Sequence, residues 1–154
     1  MKPRINPDYA WFSLELFRSS IHRWGVRALE KIPVGDYVIE YTGQLLNRAQ
    51  YKKLGIAKRK HCYTYSLDKE GYWSLDGAVR GSGAERVNHS CDPNLWAKII
   101  GKRVFFMSTR KIKKGEELTI DYRFDWPVRG KPDKCLCGAK NCRGTINIRG
   151  KGQR

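Results

Sequence analysis

With 154 residues, the chain is long enough for one domain built around a single core. Its hydrophobic content of 40%, spread over short runs, excludes a disordered polypeptide, and no apolar run approaches the roughly 20 residues of a membrane-spanning helix. Lys and Arg total 31 against 15 Asp and Glu, a formal net charge of +16 that attracts phosphate polymers and, on average, repels basic peptides.

Residues 11–17 form the first predicted strand. Residues 25–29 and 36–41 are the next two, joined by the Pro33-Val34-Gly35 turn. The stretch 45–54 has the one good helical period, with Leu46, Ala49 and Leu54 on a common face. Strands are predicted again over 62–67 and 72–75, between glycine-marked turns. Residues 95–100 and 103–108 predict a hairpin, because Gly101-Lys102 suits a two-residue turn. A last strand is predicted over 117–122, followed by a loop rich in cysteine. Lys31-Ile32-Pro33-Val34-Gly35-Asp36 is echoed by Lys111-Ile112-Lys113-Lys114-Gly115-Glu116, one turn used twice and not a repeat architecture. Many short strands and one helix predict a mainly β fold of several small sheets.

Five cysteines, an odd number, in a chain whose first residues lack a signal-peptide core, favour thiolate metal ligands over a disulfide scaffold. Cys135-x-Cys137-x4-Cys142 supplies three thiolates within eight residues, and tetrahedral zinc wants a fourth. Cys62 is expected to be a small core residue. The basic groups Lys52-Lys53, Lys58-Arg59-Lys60-His61 and Arg143, Arg149, Lys151, Arg154 suit either solvated faces or a nucleic-acid contact. Trp73 and Trp96 fall inside strand patterns and are expected in the core.

Three segments, Asn88-His89-Ser90-Cys91-Asp92-Pro93-Asn94, Glu117-Leu118-Thr119-Ile120-Asp121-Tyr122 and the cysteine-rich tail, in this order and spacing, resemble the SET-domain protein-lysine N-methyltransferases with a post-SET tail. The resemblance runs from about Ser19 to Ile148 and looks like a minimal stand-alone version. It implies an N-terminal extension over 1–18, a SET domain over 19–125 and a post-SET zinc-binding tail over 126–154. It also implies a C-terminal pseudoknot, which no periodicity could suggest.

The resemblance further implies S-adenosyl-L-methionine as methyl donor and a structural zinc ion held by Cys91, Cys135, Cys137 and Cys142. Tyr122 matches the family's catalytic tyrosine, Tyr41 and Tyr63 its lysine channel, and Ile120 the position that limits how many methyl groups are added. Arg23, Trp24, Gly25, Tyr63, Asn88, His89 and Leu136 match the cofactor-contacting positions. The chain departs from the family at Arg23, where a glycine is usual, and at Arg86, displaced by one residue from the usual arginine. The implied partner is a protein presenting lysine, such as a histone or another basic or nucleic-acid-associated protein. A monomer without membrane contact is expected, inside a cell: cytoplasm or nucleoid in a bacterium, nucleus in a eukaryote. The competing reading is a non-catalytic, zinc-stapled basic module that binds nucleic acid or peptide.

Overall fold

The computed structural model describes residues 3–56 and 63–149. Cys62, the basic run 58–61 and the basic residues Lys151 and Arg154 lie outside the described residues. The mainly β architecture is as expected: among the described residues, twelve short strands and one short α-helix form four small sheets.

The framework is the hairpin of β8 (Leu95–Ile100) and β9 (Arg103–Ser108), paired from Leu95↔Ser108 to Ile100↔Arg103. Its two-residue turn falls where expected, with Gly101 at φ 60, a left-handed conformation that glycine adopts without steric cost. β3 (Tyr37–Tyr41) adds on the β9 edge. Leu95, Val104 and Phe106 point into a core shared with Val26, Val38, Ile39 and Leu118. Side chains alternate along a strand, so burying Leu95 turns Trp96 outward, where it is 46% exposed and not in the core as expected. Trp73 is half-buried, with the Lys102 ammonium 3.6 Å from its ring centroid.

The echoed turns meet. Ile32 and Ile112 each donate their N–H to the other's carbonyl, at 3.0 and 2.9 Å, and both side chains are buried. Gly35 and Gly115 share a left-handed φ of 82° and 85°. One local sequence thus builds two matching corners that close the framework against each other.

The expected helix is shorter and starts later. Residues Gln44–Asn47 form β4, paired with β6 (Trp73–Asp76), and the α-helix covers only Arg48–Lys53. Asn47 and Gln50 make a reciprocal capping box, 2.9 Å in each direction, which sets the helix start. Leu46 is therefore buried from a strand, whereas Leu54 is 48% exposed. β5 (Thr64–Ser66) pairs with the other edge of β6. β1 (Leu14–Arg18) and β2 (Trp24–Ala28) form a separate hairpin, leaving Trp11 outside the strand expected to contain it.

The site end is threaded. β10 (Thr119–Ile120) lies between β7 (Asn88–His89) and β8, parallel to both. The intervening loop grips it from both sides: Ser90 N–H donates to the Ile120 carbonyl at 3.1 Å, and the Asn94 side chain bonds Thr119 N–H and the Glu117 carbonyl at 2.8 Å each. β10 therefore enters the sheet between two strands that precede it in the chain. The expected strand over 117–122 is thus a two-residue piece. Beyond it, where loop was expected, β11 (Phe124–Asp125) pairs with β12 (Asn147–Ile148) and ties the tail back. Elements of two residues are too short to carry a periodic signal.

Candidate active site

Two cavities open beside the crossing. One, of roughly 880 Å³, lies against β5 and is walled by Tyr41, Tyr65, Phe106 and Ile120. The other, of roughly 560 Å³, lies between the β1–β2 turn and the tail and is walled by Arg23, Trp24, Asn88, His89 and Leu136. Tyr63, Glu85, Tyr122 and Phe124 line both, so a wall of three aromatic rings and one carboxylate separates them.

The tyrosine hydroxyls are held by the backbone. Tyr122 donates to the Val87 carbonyl at 2.8 Å, and Tyr41 donates to the Tyr63 carbonyl. With their protons given to carbonyls, both phenol oxygens retain only acceptor capacity, and both residues line the cavity. Tyr65 on β5, two residues beyond Tyr63, packs against Tyr41 and Phe106, and burial raises the pKa of its phenol. Ile120 is 6% exposed and offers only hydrocarbon to the cavity.

His89 joins the crossing to the cysteines. Its Nδ1 accepts the Tyr122 N–H at 3.1 Å, while Nε2 lies 3.4 Å from Cys91 Sγ. Burial lowers its pKa, and the Arg143 charge adds to that against the Asp121 carboxylate. The ring is therefore neutral, with its proton on Nε2 facing sulfur. Asn88 Nδ2 reaches the Trp24 carbonyl at 3.1 Å and Glu117 Oε1 at 2.9 Å, and Glu117 also accepts from Ser19 Oγ at 2.8 Å. Gly25 is buried so closely against Glu117 that a Cβ there would collide with its carboxylate. Arg23 sits at φ 37, a region that favours glycine, so the residue replacing the family's usual glycine carries backbone strain.

Cys91, Cys135, Cys137 and Cys142 converge, their sulfurs all within 4.8 Å of one another. Backbone N–H groups of Cys137, Arg143 and Gly144 point at three of these sulfurs, each at 3.4 Å, as suits thiolates. Burial and thiol crowding push Cys135 up to about 12. Burial also opposes ionisation of Cys137, but backbone N–H groups and neighbouring thiols bring it down to about 6. Four thiolates this close repel one another unless a cation lies between them, so the donor set fits a soft, tetrahedral metal ion. Arg143, next to Cys142, makes a two-pronged ion pair with Asp121 at 2.8 and 2.9 Å, fastening the tail to the residue that precedes Tyr122.

A family model for the SET domain matches residues 23–123, well over half of the chain. The chain belongs to the SET-domain family. Similar proteins include histone-lysine N-methyltransferase set-2 of Caenorhabditis elegans, 37% identical over 140 residues, which is 87% of this chain and 9% of that protein. Histone-lysine N-methyltransferase SETD1 of Drosophila melanogaster is 37% identical over 145 residues, 87% of this chain and 8% of its own length. Histone-lysine N-methyltransferase ATXR7 of Arabidopsis thaliana is 40% identical over 139 residues, 83% and 9% respectively. The chain thus spans about a tenth of the length of these relatives. No helix among the described residues is long and apolar enough to cross a membrane.

Within this SET domain, the crossing brings Tyr41, Tyr63, Ile120 and Tyr122 to one cavity, and Arg23, Trp24, Asn88, His89 and Leu136 to the other. Gly25 lines neither cavity and packs against Ser19, Asn88 and Glu117 instead. The sequence reading missed Tyr65, Phe124 and Glu85. Two-residue spacing from Tyr63 inside the strand expected over 62–67 could have found Tyr65, whereas Arg123 at φ 50 breaks alternation between Tyr122 and Phe124. Nothing local marks Glu85, whose position follows from the 3-10 turn Ala84–Arg86.

Proposed function

We propose that this SET domain is a protein-lysine N-methyltransferase that uses S-adenosyl-L-methionine, with one structural zinc ion held by Cys91, Cys135, Cys137 and Cys142. The observation that carries this reading is the pair of cavities meeting at Tyr63 and Tyr122. When bound, the cofactor supplies a methyl group on a cationic sulfur, open to in-line attack by an amine. Arg23, Trp24, Asn88, His89 and Leu136 line the cavity in which it would sit; the lysine side chain would enter from the larger one.

A lysine ammonium must lose its proton before it can attack. Aromatic walls strip water from it, and a neighbouring positive charge favours the neutral amine. The Tyr122 and Tyr41 oxygens, acting as acceptors, then take the amine N–H groups and leave its lone pair aimed across the junction. Most of the rate gain would come from this positioning. The larger cavity also suits a cationic guest. Glu85, Asp121 and Asp125 line it with the guanidinium of Arg123, so carboxyl groups outnumber cations along its lining, with Arg143 paired to Asp121 and Arg86 beside Glu85 from outside it. A lysine in a basic segment, such as a histone tail, is therefore the proposed substrate. Ile120 has no hydroxyl to hold a water or the amine, which leaves room for more than one methyl group; mass spectra showing only monomethyl product at exhaustive turnover would refute this.

The test joins calorimetry of cofactor binding with label transfer from the methyl donor to histones and to a whole lysate. Wild type should bind and transfer, and Tyr122→Phe should lose on the order of a hundredfold in rate while still binding cofactor. A wild type that binds no cofactor would favour the zinc-stapled basic module instead. A salt titration of nucleic-acid affinity would then show whether the surface cations bind phosphate.

A further inference from the structure

Arg86 is one residue out of the family's usual register, and it does something specific here. Its guanidinium carbon lies 4.3 Å from the centroid of the Tyr63 ring, and Nη1 donates to the Tyr63 hydroxyl at 2.7 Å. The same residue lines the smaller cavity. Its Nε is the one buried side-chain polar atom among the described residues without a hydrogen-bond partner, with Glu85 Oε1 3.7 Å away. The Glu85 carboxylate is itself tied down, accepting the Gly83 N–H at 2.8 Å. The guanidinium therefore faces a ring on one side and a fixed anion on the other.

We propose that Arg86 is a positioning residue for the dividing wall: by stacking on Tyr63 and bonding its hydroxyl, it fixes that phenol at the junction of the two cavities. This rests on the methyltransferase reading. The Tyr63 backbone is already engaged, its carbonyl accepting from Tyr41, so Arg86 governs the ring and not the strand. A planar guanidinium can cover a ring face and donate along its edge at once; a lysine ammonium cannot do both. Tyr63 and Tyr122 line the same junction, so a Tyr63 ring free to swing would widen the passage and misplace the amine. Small errors in such geometry cost large factors in rate.

The experiment is a double-mutant cycle in kcat with Arg86→Gln, Tyr63→Phe and the double variant, after zinc content and thermal midpoint confirm folding. Arg86→Gln should lower kcat about tenfold, a loss typical of one charge-assisted hydrogen bond. Arg86→Lys should fare no better, since charge without the planar face does not hold the ring. In the Tyr63→Phe background the further loss should be clearly smaller, about two- to threefold, because the hydroxyl contact is gone and only the stacking on the ring face remains to be lost. Equal losses in both backgrounds, full rescue by lysine, or no loss at all would overturn the proposal. A second readout needs no turnover: in NMR spectra of tyrosine-labelled full chain, the two edges of the Tyr63 ring should give separate signals in wild type and merge in Arg86→Gln. Should wild type transfer no methyl group, the methyltransferase reading falls, and identical ring signals in the two proteins would independently sink the contact.

Discussion

The framework and the tail of this molecule are held by different forces. Around the β8–β9 hairpin, Ile32, Val38, Ile39, Val104, Phe106 and Ile112 are buried to 1% exposure or less, and burial of hydrocarbon does the stabilising. From Trp126 to Arg149, the buried residues are Cys135 and Asn147. That segment is held by the sulfur cluster, by the Arg143–Asp121 pair, by the Asn147 side chain on the Asp125 carbonyl at 2.8 Å and by β12 against β11. The contrast teaches where adaptability resides. A region held by packing resists everything short of unfolding, whereas a region held by charge, a cysteine cluster and a few hydrogen bonds can be loosened alone. That second region carries one wall of the smaller cavity.

The comparison can be broken from either side. The largest effect belongs to the framework: Ile112→Ala should cost about 2–5 kcal/mol of global stability, read from urea unfolding, because the joined turns cannot collapse around the lost side chain. Cys142→Ser, or chelation of the metal, should act more locally. Amide exchange should rise across residues 126–149 while β8 and β9 stay protected, and the disturbance should reach Tyr122 through His89. A uniform rise across both regions would erase the distinction.

Asp121→Asn should be milder, about 0.5–1 kcal/mol for a partly exposed, solvent-screened pair. The pH dependence follows from the same group. Burial opposes its charge, but Arg143 and backbone N–H bonding hold the Asp121 carboxyl below its usual range. Its contribution is therefore fully present at neutral pH and disappears as acidification passes through that lowered value. Tail protection should fall at acid pH in wild type, and less so in Asp121→Asn.

Legibility differed between the same regions. The β8–β9 hairpin was visible residue for residue, because alternation, length and a glycine turn all agree within 14 positions. The helix was misjudged because Leu46 and Leu54 satisfied a helical period, while the Asn47–Gln50 capping box and the pairing with β6 placed Leu46 in a strand. Trp96 was misplaced because an aromatic in a strand pattern does not reveal which face is covered. The three tail cysteines were legible as a cluster through their spacing, and Cys91 as their companion only through the family resemblance. Glu85 and the Arg86–Tyr63 contact were not, since a shifted arginine says only that the usual partner is lost.

Alone, then, the order of residues determined the chemistry on offer: tyrosines in strands, sulfurs in a tail, an excess of cations, and the motifs that mark a SET domain. Only the tertiary structure decided that β10 runs between β7 and β8, that Tyr63 and Tyr122 share a wall between two cavities, and that Glu85, Asp121 and Asp125 line one of those cavities. The physical reason is range. Turn and strand preferences act over a few neighbours, whereas the crossing brings together residues such as Arg27 and Glu117, or Cys91 and Arg143, that meet only when the whole chain has closed.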